Sequence, residues 1–480
     1  MRNVIAKTVE SLRRFLQPLV KVMYYISGAL LFMMPIPVIL DVVFRFTLSK
    51  SVPGAIEIEE FLLCLTIFFA LAFVQWRGEH VKIDLFTKRF PQWLQDLLEV
   101  GMYSAAALFF ALMSSSLFHE GSKRLASNEI SFSLNIPIGP FRYMAAFGAA
   151  VLALAVLATL LEAIVRVLDS KRAAWLVFPL TLGIGLVLLP ALGYFPQNLE
   201  GAQAGLTGMG LLFTLIFLGM PIGFGMAIVG FAGMTVIYHG AAPALGMIGI
   251  VSYSQAASYM FTVVPMFILM GQFAYHSGIS GDLFRTGQVW LGRLPGGLAM
   301  SSVGGCAGFS AVCGDSLATA VTMGTVALPS MKENKYDMSL ATGSLAAGGT
   351  LGILIPPSAA FIFYAIVTEE SIGELFLAGI LPGIMLTTIF MIAIYIRARI
   401  NPQLAPPGAR TTFVEKLISL KGIIGMLSIF LLIMGGILSG TFSPVEGGAV
   451  GVVGASTYAA LKGRLTLEVI KRSVFETLFI

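Results

Sequence analysis

The run SSVGGCAGFSAVCGDSLATAVTMGTVALPSMKENKYDMSLATGSLAAGGTLGILIPP, Ser301 to Pro357, decides how the rest of the chain is read. It is apolar enough for membrane depth, yet Gly, Ser and Thr interrupt it at Gly304-Gly305, Gly308, Ser310, Gly314, Ser316, Gly348-Gly349-Thr350 and Gly352. Hydrocarbon leaves freed N–H and C=O groups without partners, so irregular backbone survives there only when buried in protein or lining a cavity. Broken segments of this kind present helix ends to an anion and bare carbonyls to cations in secondary transporters. The stretch reads as a transport site.

Composition agrees with a membrane location. Of the 480 residues 57% are hydrophobic and 11% charged, against about 25% charged in soluble domains. The length gives room for roughly a dozen spans of about 20 residues. A net charge of +5 is read through its placement in loops and does not indicate nucleic-acid binding. Cys64, Cys306 and Cys313 lie in apolar sequence and read as inert buried thiols. The four histidines make no H-E-x-x-H spacing and no G-x-x-x-x-G-K-[ST] occurs, so a transition-metal site and an ATP-driven pump have no support. No nucleophile, base or metal cluster suggests an enzyme.

Working outward, residues 1–21 carry Arg2, Lys7, Arg13, Arg14 and Lys21 against Glu10, which predicts a cytoplasmic N-terminus. Spans are expected at about 22–48, kinked at Pro35 and Pro37, at 58–76 with an acidic outer entrance (Glu57, Glu59, Glu60), at 97–117 and at 141–165. Residues 77–95 interleave Lys82, Lys88 and Arg89 with Ile83, Leu85, Phe86, Phe90 and Trp93. This suits an interfacial amphipathic helix, or a basic loop if Pro91 interrupts it. Arg166, Lys171 and Arg172 close this four-span module inside, and a fifth segment at 174–192 crosses outward to the polar loop 196–205.

Residues 206–237 are long for one span and break naturally at Met220-Pro221. A related pattern returns at 418–461, where FSPVEGGAVGVVGAS sets Pro444 opposite Pro221 of GMPIGFGMAIVGFAG. Arg285 and Arg293 precede the broken stretch, and Lys332 and Lys335 follow its first half, so both flanks read as cytoplasmic. The segment from about Met300 to Pro329 then enters and leaves by one face, as a re-entrant hairpin. A span from about Ser339 to Val367 leads to the acidic outer loop with Glu369, Glu370 and Glu374. The next returns to Arg397, Arg399 and Arg410. The second repeat thus starts on the opposite side from the first, which makes the repeats inverted.

The run LPGGLAMSSVGGCAGFSAVCGDSLATAVTMGTVALPSM, with ATGSLAAGGTLGILIPPS and SIGELFLAGILPGIM, resembles the large membrane subunit of tripartite ATP-independent periplasmic (TRAP) transporters. FTVVPMFILMGQF at 261–273 and GMPIGFGMAIVGFAG at 219–233 fit the same subunit, and residues 1–170 are similar to the small four-span subunit. The domains expected are a small-subunit-like module at 1–170, a connecting helix and loop at 171–205, and a transport module at 206–480. Its first repeat spans about 206–400 and its second starts at about 416. The fold class is an all-α polytopic membrane protein, a four-helix module joined to an inverted-repeat, elevator-type transport domain with a re-entrant hairpin. The resemblance implies sodium-driven import of an organic acid through the bacterial inner membrane, delivered by a periplasmic substrate-binding protein. A non-transporting channel or scaffold is the rival. The resemblance also implies a second hairpin late in the second repeat. No counterpart of SAVCGDSLAT follows Leu461, so the remainder is expected to be missing or supplied separately.

The roles follow. Sodium prefers oxygen ligands, and the Gly-rich break can turn carbonyls to one point. Ser310, Gly314, Gly349, Thr350 and Gly352 are the candidate Na⁺ site, with no other cofactor. Asp315, Ser316, Thr319, Pro356, Pro357 and Ser358 are the candidate substrate contacts. A carboxylate at this depth is functional by default, but Asp315 is equally suited to capping the second half-helix. The family usually has a small residue near it, which leaves the cation count open. Glu446 reads as structural, bonding a helix start. Arg45 and Lys50 are candidates for contact with an acidic binding protein, or are simply solvated.

Overall fold

The computed structural model describes residues 2–170, 173–194, 201–408 and 411–479. Lys171, Arg172, Arg410 and the first half of the 196–205 loop, each given a topological role above, lie outside the described residues. The described chain is 82% helical without strands. In chain order the α-helices are α1 Arg2–Met33, α2 Pro35–Leu48, α3 Ala55–Arg77, α4 Gln92–Ala126, α5 Gly139–Asp169, α6 Val177–Ala191, α7 Gly201–Phe217, α8 Ile222–Ile237, α9 Ala241–Ala256 and α10 Tyr259–Ser277. They continue as α11 Ile279–Leu291, α12 Gly297–Cys313, α13 Ser316–Glu333, α14 Met338–Gly349, α15 Ala359–Thr368, α16 Ile372–Ile400, α17 Phe413–Ser419, α18 Lys421–Leu438, α19 Pro444–Leu461 and α20 Leu467–Thr477. Among the described residues six stretches are long and apolar enough to cross a membrane, or seven if the bent pair α9–α10 is one span. That is fewer than the length has room for, because apolar sequence such as α7, α8, α12 and α15 is cut into pieces of 10–17 residues.

The chain divides into two compact units, Met1–Leu30 with Glu60–Ser258, and Leu31–Glu59 with Tyr259–Ile480. This division does not follow chain order. Residues 206–258 belong with the small-module helices: Phe224 and Phe231 meet Phe110 and Phe109 edge-on at 4.8 and 6.2 Å. A Cβ on Gly249 would stand 2.8 Å from the Ser116 carbonyl oxygen. Conversely α2 belongs with the second unit. Arg45 pairs with Glu446 of α19, and Phe46 lies edge-on to Phe442 with ring centroids 6.1 Å apart.

Several expectations need correction. Residues 78–91 form no amphipathic helix; they are a loop with one 3-10 turn at Thr87–Arg89, and Pro91 stands as the N-cap of α4. Pro91 lacks an N–H and removes a helical donor there, so the basic loop is the form adopted. The first helix starts at Arg2, well before the span expected at 22–48, and its break at Met34 falls beside Pro35, where the kink is expected. Glu59, in the first turns of α3, is fully buried. The stretch 339–367 is not a full span. It divides into α14, a 3-10 turn Thr350–Ile353, an irregular step and α15. Cys64, Cys306 and Cys313 are buried free thiols.

Candidate functional site

In the second unit α12 and α13 fold back on each other. Gly314 caps the end of α12 at φ +69°, a left-handed conformation that glycine adopts without a Cβ penalty. Asp315 follows in extended conformation as the N-cap of α13. The feet of the pair meet: the Tyr336 hydroxyl, just past α13, accepts from the Leu298 N–H in the first turn of α12 at 3.2 Å. Segment 402–408 lies beside the same end, since Asp337 N–H donates to Leu404 O at 2.9 Å and Gly408 N–H to Gly292 O at 2.7 Å. Arg293, Lys332, Lys335, Arg397 and Arg399 lie on these segments or their adjoining helix ends. At the far end of α16 stand Glu369, Glu370 and Glu374.

The hairpin tip sits on the irregular step after α14. Ala359 N–H donates to Gly314 O at 3.2 Å. A Cβ on Gly314 would stand 2.5 Å from Pro357 O, one on Gly352 2.5 Å from Asp315 O, and one on Gly349 2.6 Å from the Ala320 Cβ. The small residues that break the sequence pattern therefore let one backbone touch another. From α10, Gly271 adds a third wall, its Cβ position 3.0 Å from the Cys313 Cα. Four helix ends converge here: the carbonyl ends of α12 and the 3-10 turn, and the amide ends of α13 and α15. Carbonyl ends carry partial negative charge and amide ends partial positive charge.

Side-chain commitments sort the candidates. Asp315 Oδ1 accepts from Ala318 N–H at 2.6 Å, so its carboxylate caps α13. Thr319, fully buried, donates to Asp315 O at 2.6 Å. Ser358, fully buried, donates to Ile353 O at 2.7 Å and braces the step that contains the cis Pro356-Pro357 bond. Thr350 is exposed and its hydroxyl donates to Ala347 O at 2.6 Å. Ser316 is the first residue of α13, and its carbonyl oxygen lies 3.3 Å from a Cβ built on Gly349. Ser310 differs from all of these. It is fully buried, in the last turn of α12, and its hydroxyl has no hydrogen-bond partner among the described residues. The irregular step begins after Ile353, later than the glycines at 348–352, because those glycines serve helix contact: Gly348 faces the Cys306 sulfur.

Sequence reasoning gave no role to Gly271, although it stands in the quoted MGQF run; a glycine flanked by bulky residues in an apolar helix was the available signal. It also missed the partner of Glu446. That carboxylate accepts from Ser443 N–H at 2.9 Å in a capping box at the start of α19, and also pairs with Arg45. Glu446 is thus structural, and Arg45 is held by the chain itself.

Residues 209–480 match the family model "Tripartite ATP-independent periplasmic transporter, DctM component", and residues 34–166 match that of the DctQ component. The chain is similar to the C4-dicarboxylate TRAP transporter large permease protein DctM of Pseudomonas aeruginosa, 37% identical over 209 residues, 44% of this chain and 48% of the relative. It is 32% identical over 273 residues to the sialic acid TRAP transporter large permease protein SiaM of Vibrio cholerae, 55% of this chain and 62% of that protein. It is 29% identical over 271 residues to the isethionate TRAP transporter permease protein DctMQ of Oleidesulfovibrio alaskensis, 56% of this chain and 41% of that protein. The chain spans about half the length of the curated relatives it matches. These relatives are permease components of transporters and not enzymes. The chain belongs to the DctM component family of the tripartite ATP-independent periplasmic transporters, with a DctQ-component segment fused ahead of it.

Proposed function

We propose that this chain is a membrane component of a sodium-coupled secondary transporter that imports an organic acid handed over by a periplasmic binding protein. Relatives named for C4-dicarboxylates, sialic acid and ectoine support small organic solutes as the cargo class. The observation that carries the sodium part is the Ser310 hydroxyl, buried without a partner at the carbonyl end of α12. An unsatisfied buried hydroxyl costs roughly 1–3 kcal/mol, and a cation held by it and by adjacent carbonyls offsets that. Gly314, Gly349 and Gly352 supply backbone approach in this reading; the Thr350 hydroxyl donates its proton to Ala347 O and keeps its lone pairs for a cation.

The substrate carboxylate belongs at the amide end of α15, beside Pro356, Pro357 and Ser358. Asp315 already occupies the amide end of α13, so Ser316 and Thr319 act there as packing around that cap. Basic residues at the hairpin feet and acidic residues at the opposite end of α16 support feet on the cytoplasmic side and, with the basic α1, an N-terminus inside. Pro221 and Pro444 both stand at the start of the second helix of a broken pair, which supports the inverted repeat. An elevator motion, in which a body bearing the hairpin slides past a scaffold enlarged by the small module, is the mechanism the family implies. The grouping of 206–258 with small-module helices is consistent with such a scaffold.

The test is the melting temperature of the purified chain in Na⁺ against K⁺ at equal ionic strength, with Ser310→Ala alongside. Binding to the native state raises stability by RT ln(1 + [L]/Kd). The expected result is a Na⁺-specific rise that Ser310→Ala abolishes while leaving stability in K⁺ unchanged or higher. Equal melting in both salts sinks the sodium site. Passive conductance of the reconstituted protein, in place of Na⁺-dependent uptake with a binding protein, sinks the transporter reading.

A further inference from the structure

We propose that the cleft between α11, α17 and the start of α18 is a site for one anionic glycerophospholipid, with the phosphate on Arg285 and Lys421 and an acyl chain along α17. The proposal rests on the membrane location of the chain, not on sodium coupling. Asp282, Arg285, Thr286 and Val289 recur at helical spacing on one face of α11 and form one wall of a cleft of about 580 Å³. Opposite stand Glu415, Ile418, Lys421 and Lys462.

The polar groups of this cleft are mostly committed to each other. Lys462 donates to Asp282 at 3.0 Å. Glu415 accepts from Thr412 N–H at 2.7 Å in a capping box. Thr286 donates to the carbonyl oxygens of Asp282 and Ser419, both at 2.8 Å. Lys462 is held above the usual lysine range, first by the Asp282 hydrogen bond, so it stays charged. After these pairings two cations are left over. Arg285 and Lys421 are exposed, and neither has a carboxylate within 4.0 Å among the described residues. Three cations (Arg285, Lys421, Lys462) against two carboxylates (Asp282, Glu415) leave the cleft positive by one charge, and its two unpaired cations select an anion.

The apolar side identifies the anion's carrier. Phe413, Val414, Leu417 and Ile418 of α17 are 71%, 64%, 50% and 57% exposed. This ridge opens the stretch Phe413–Leu438, apolar enough to cross a membrane, and lipid contact there is worth about 25 cal/mol per Å² of apolar surface relative to water. Trp290 fixes it to α11: the indole N–H donates to Lys416 O at 3.2 Å, and the Lys416 ammonium lies 5.7 Å from the ring centroid. Exposed apolar turns with an interfacial Trp lie in the headgroup boundary of a bilayer. A basic cleft joined to such a ridge matches a lipid phosphate joined to its chain, and basic pockets between membrane helices hold anionic headgroups. A free phosphate would use the cations and leave the ridge bare.

The experiment is native mass spectrometry of the full chain released from mixed phosphatidylglycerol and phosphatidylcholine micelles. A cation near a membrane surface gives roughly a fivefold preference for anionic lipid, so the pair predicts about a 30-fold preference for phosphatidylglycerol. Arg285→Gln with Lys421→Gln, both exposed and free of structural bonds, is expected to abolish that preference and leave phosphatidylcholine retention unchanged. Leu417→Ser is expected to lower phosphatidylglycerol retention several-fold. An unaltered preference in the double variant overturns the site. Displacement by inorganic phosphate at the lipid's own concentration, or no effect of Leu417→Ser, overturns the lipid as occupant. None of these readings involves transport or Na⁺, so their failure leaves the transport reading untouched.

Discussion

Two proline-broken helix pairs, α7–α8 and α18–α19, solve one problem in different ways. Each interrupts an apolar stretch and leaves the amides of its second helix without intrahelical acceptors. At α19 the answer is local: Ser443 and Glu446 form a capping box, and Arg45 of α2 completes it from afar. At α8 the N-cap is Pro221, which offers no side-chain bond. The loop 78–91 serves instead, with Val81 O accepting from Ile222 N–H at 3.0 Å. Phe86 stands edge-on to Phe217 at 5.3 Å, and Thr87 lies 3.1 Å from a Cβ on Gly219. In both cases a piece of the small-module sequence seals a break in the large-module sequence. Fusing the two segments thus does more than tether them.

The hairpin tip marks the extreme of the comparison, since there the backbone itself is the partner. Gly352→Ala is expected to have the largest effect, because its Cβ would meet the Asp315 carbonyl at 2.5 Å with no flexible atom to yield. A loss of about 3 kcal/mol or more is expected for such overpacking; urea denaturation or a melting shift measures it. Wild-type stability in Gly352→Ala would mean that the tip does not rest on this break. Next comes Glu446→Ala, which removes the cap of α19 and strands Arg45. Lost caps cost about 1 kcal/mol and an unpaired partner about 1–3 more. Glu446→Gln keeps the capping geometry and loses only the charge, so it is expected to retain about half of the difference.

What was legible in the sequence follows the same line between local and distant partners. The hairpin could be read because its glycines and Asp315 fall within Ser301–Pro357, with Arg285 and Arg293 just before that stretch and Lys332 and Lys335 inside it. The S-P-V-E cap was legible for the same reason. Unreadable from spacing was any bond whose two ends lie far apart, such as Val81 with Ile222, Arg45 with Glu446, or Ala359 with Gly314. The misplaced helix at 77–95 is the clearest case. Its alternating cations and apolar residues matched an amphipathic pattern, but Phe86, Thr87 and Val81 are spent on the α7–α8 break, and Pro91 fixes where α4 begins. The uncommitted hydroxyl of Ser310 was likewise invisible, since only packing distinguishes it from the committed Ser358 and Thr319.

Acid is expected to separate the two breaks. His80 sits in the loop that seals α8, its ring 4.7 Å from that of Phe224, and burial pushes its pKa down to about 4 from 6.5. The folded state therefore holds a neutral imidazole. The unfolded state takes up a proton as pH falls below 6.5, and the folded state does so only near 4, so stability drops across that window. At about 1.4 kcal/mol per pH unit as an upper bound, and less for the ring's residual exposure, a loss of about 1 kcal/mol by pH 5 is expected. His80→Phe should flatten the acid limb of a pH–stability profile between 6.5 and 4. A profile unchanged by that substitution would remove His80 from the account.

The smallest effect isolates the single bond between the loop and α8. Ile222 is the first residue of α8, a position where proline is conformationally suited. Ile222→Pro would follow Pro221, whose extended conformation (φ −52°, ψ 133°) is the one a following proline favours. The substitution thus deletes the N–H that reaches Val81 O and asks little else of the backbone. The net worth of such a bond is about 1 kcal/mol, so Ile222→Pro should lower stability by about that much. It should also raise amide exchange or protease cleavage within 78–91, with the α19 junction unchanged. Loosening there without loosening at α19 would mean that each break is sealed by its own segment. Equal loosening at both would mean that the seals form one cooperative structure, and the distinction between a local and a distant cap would lose its energetic meaning.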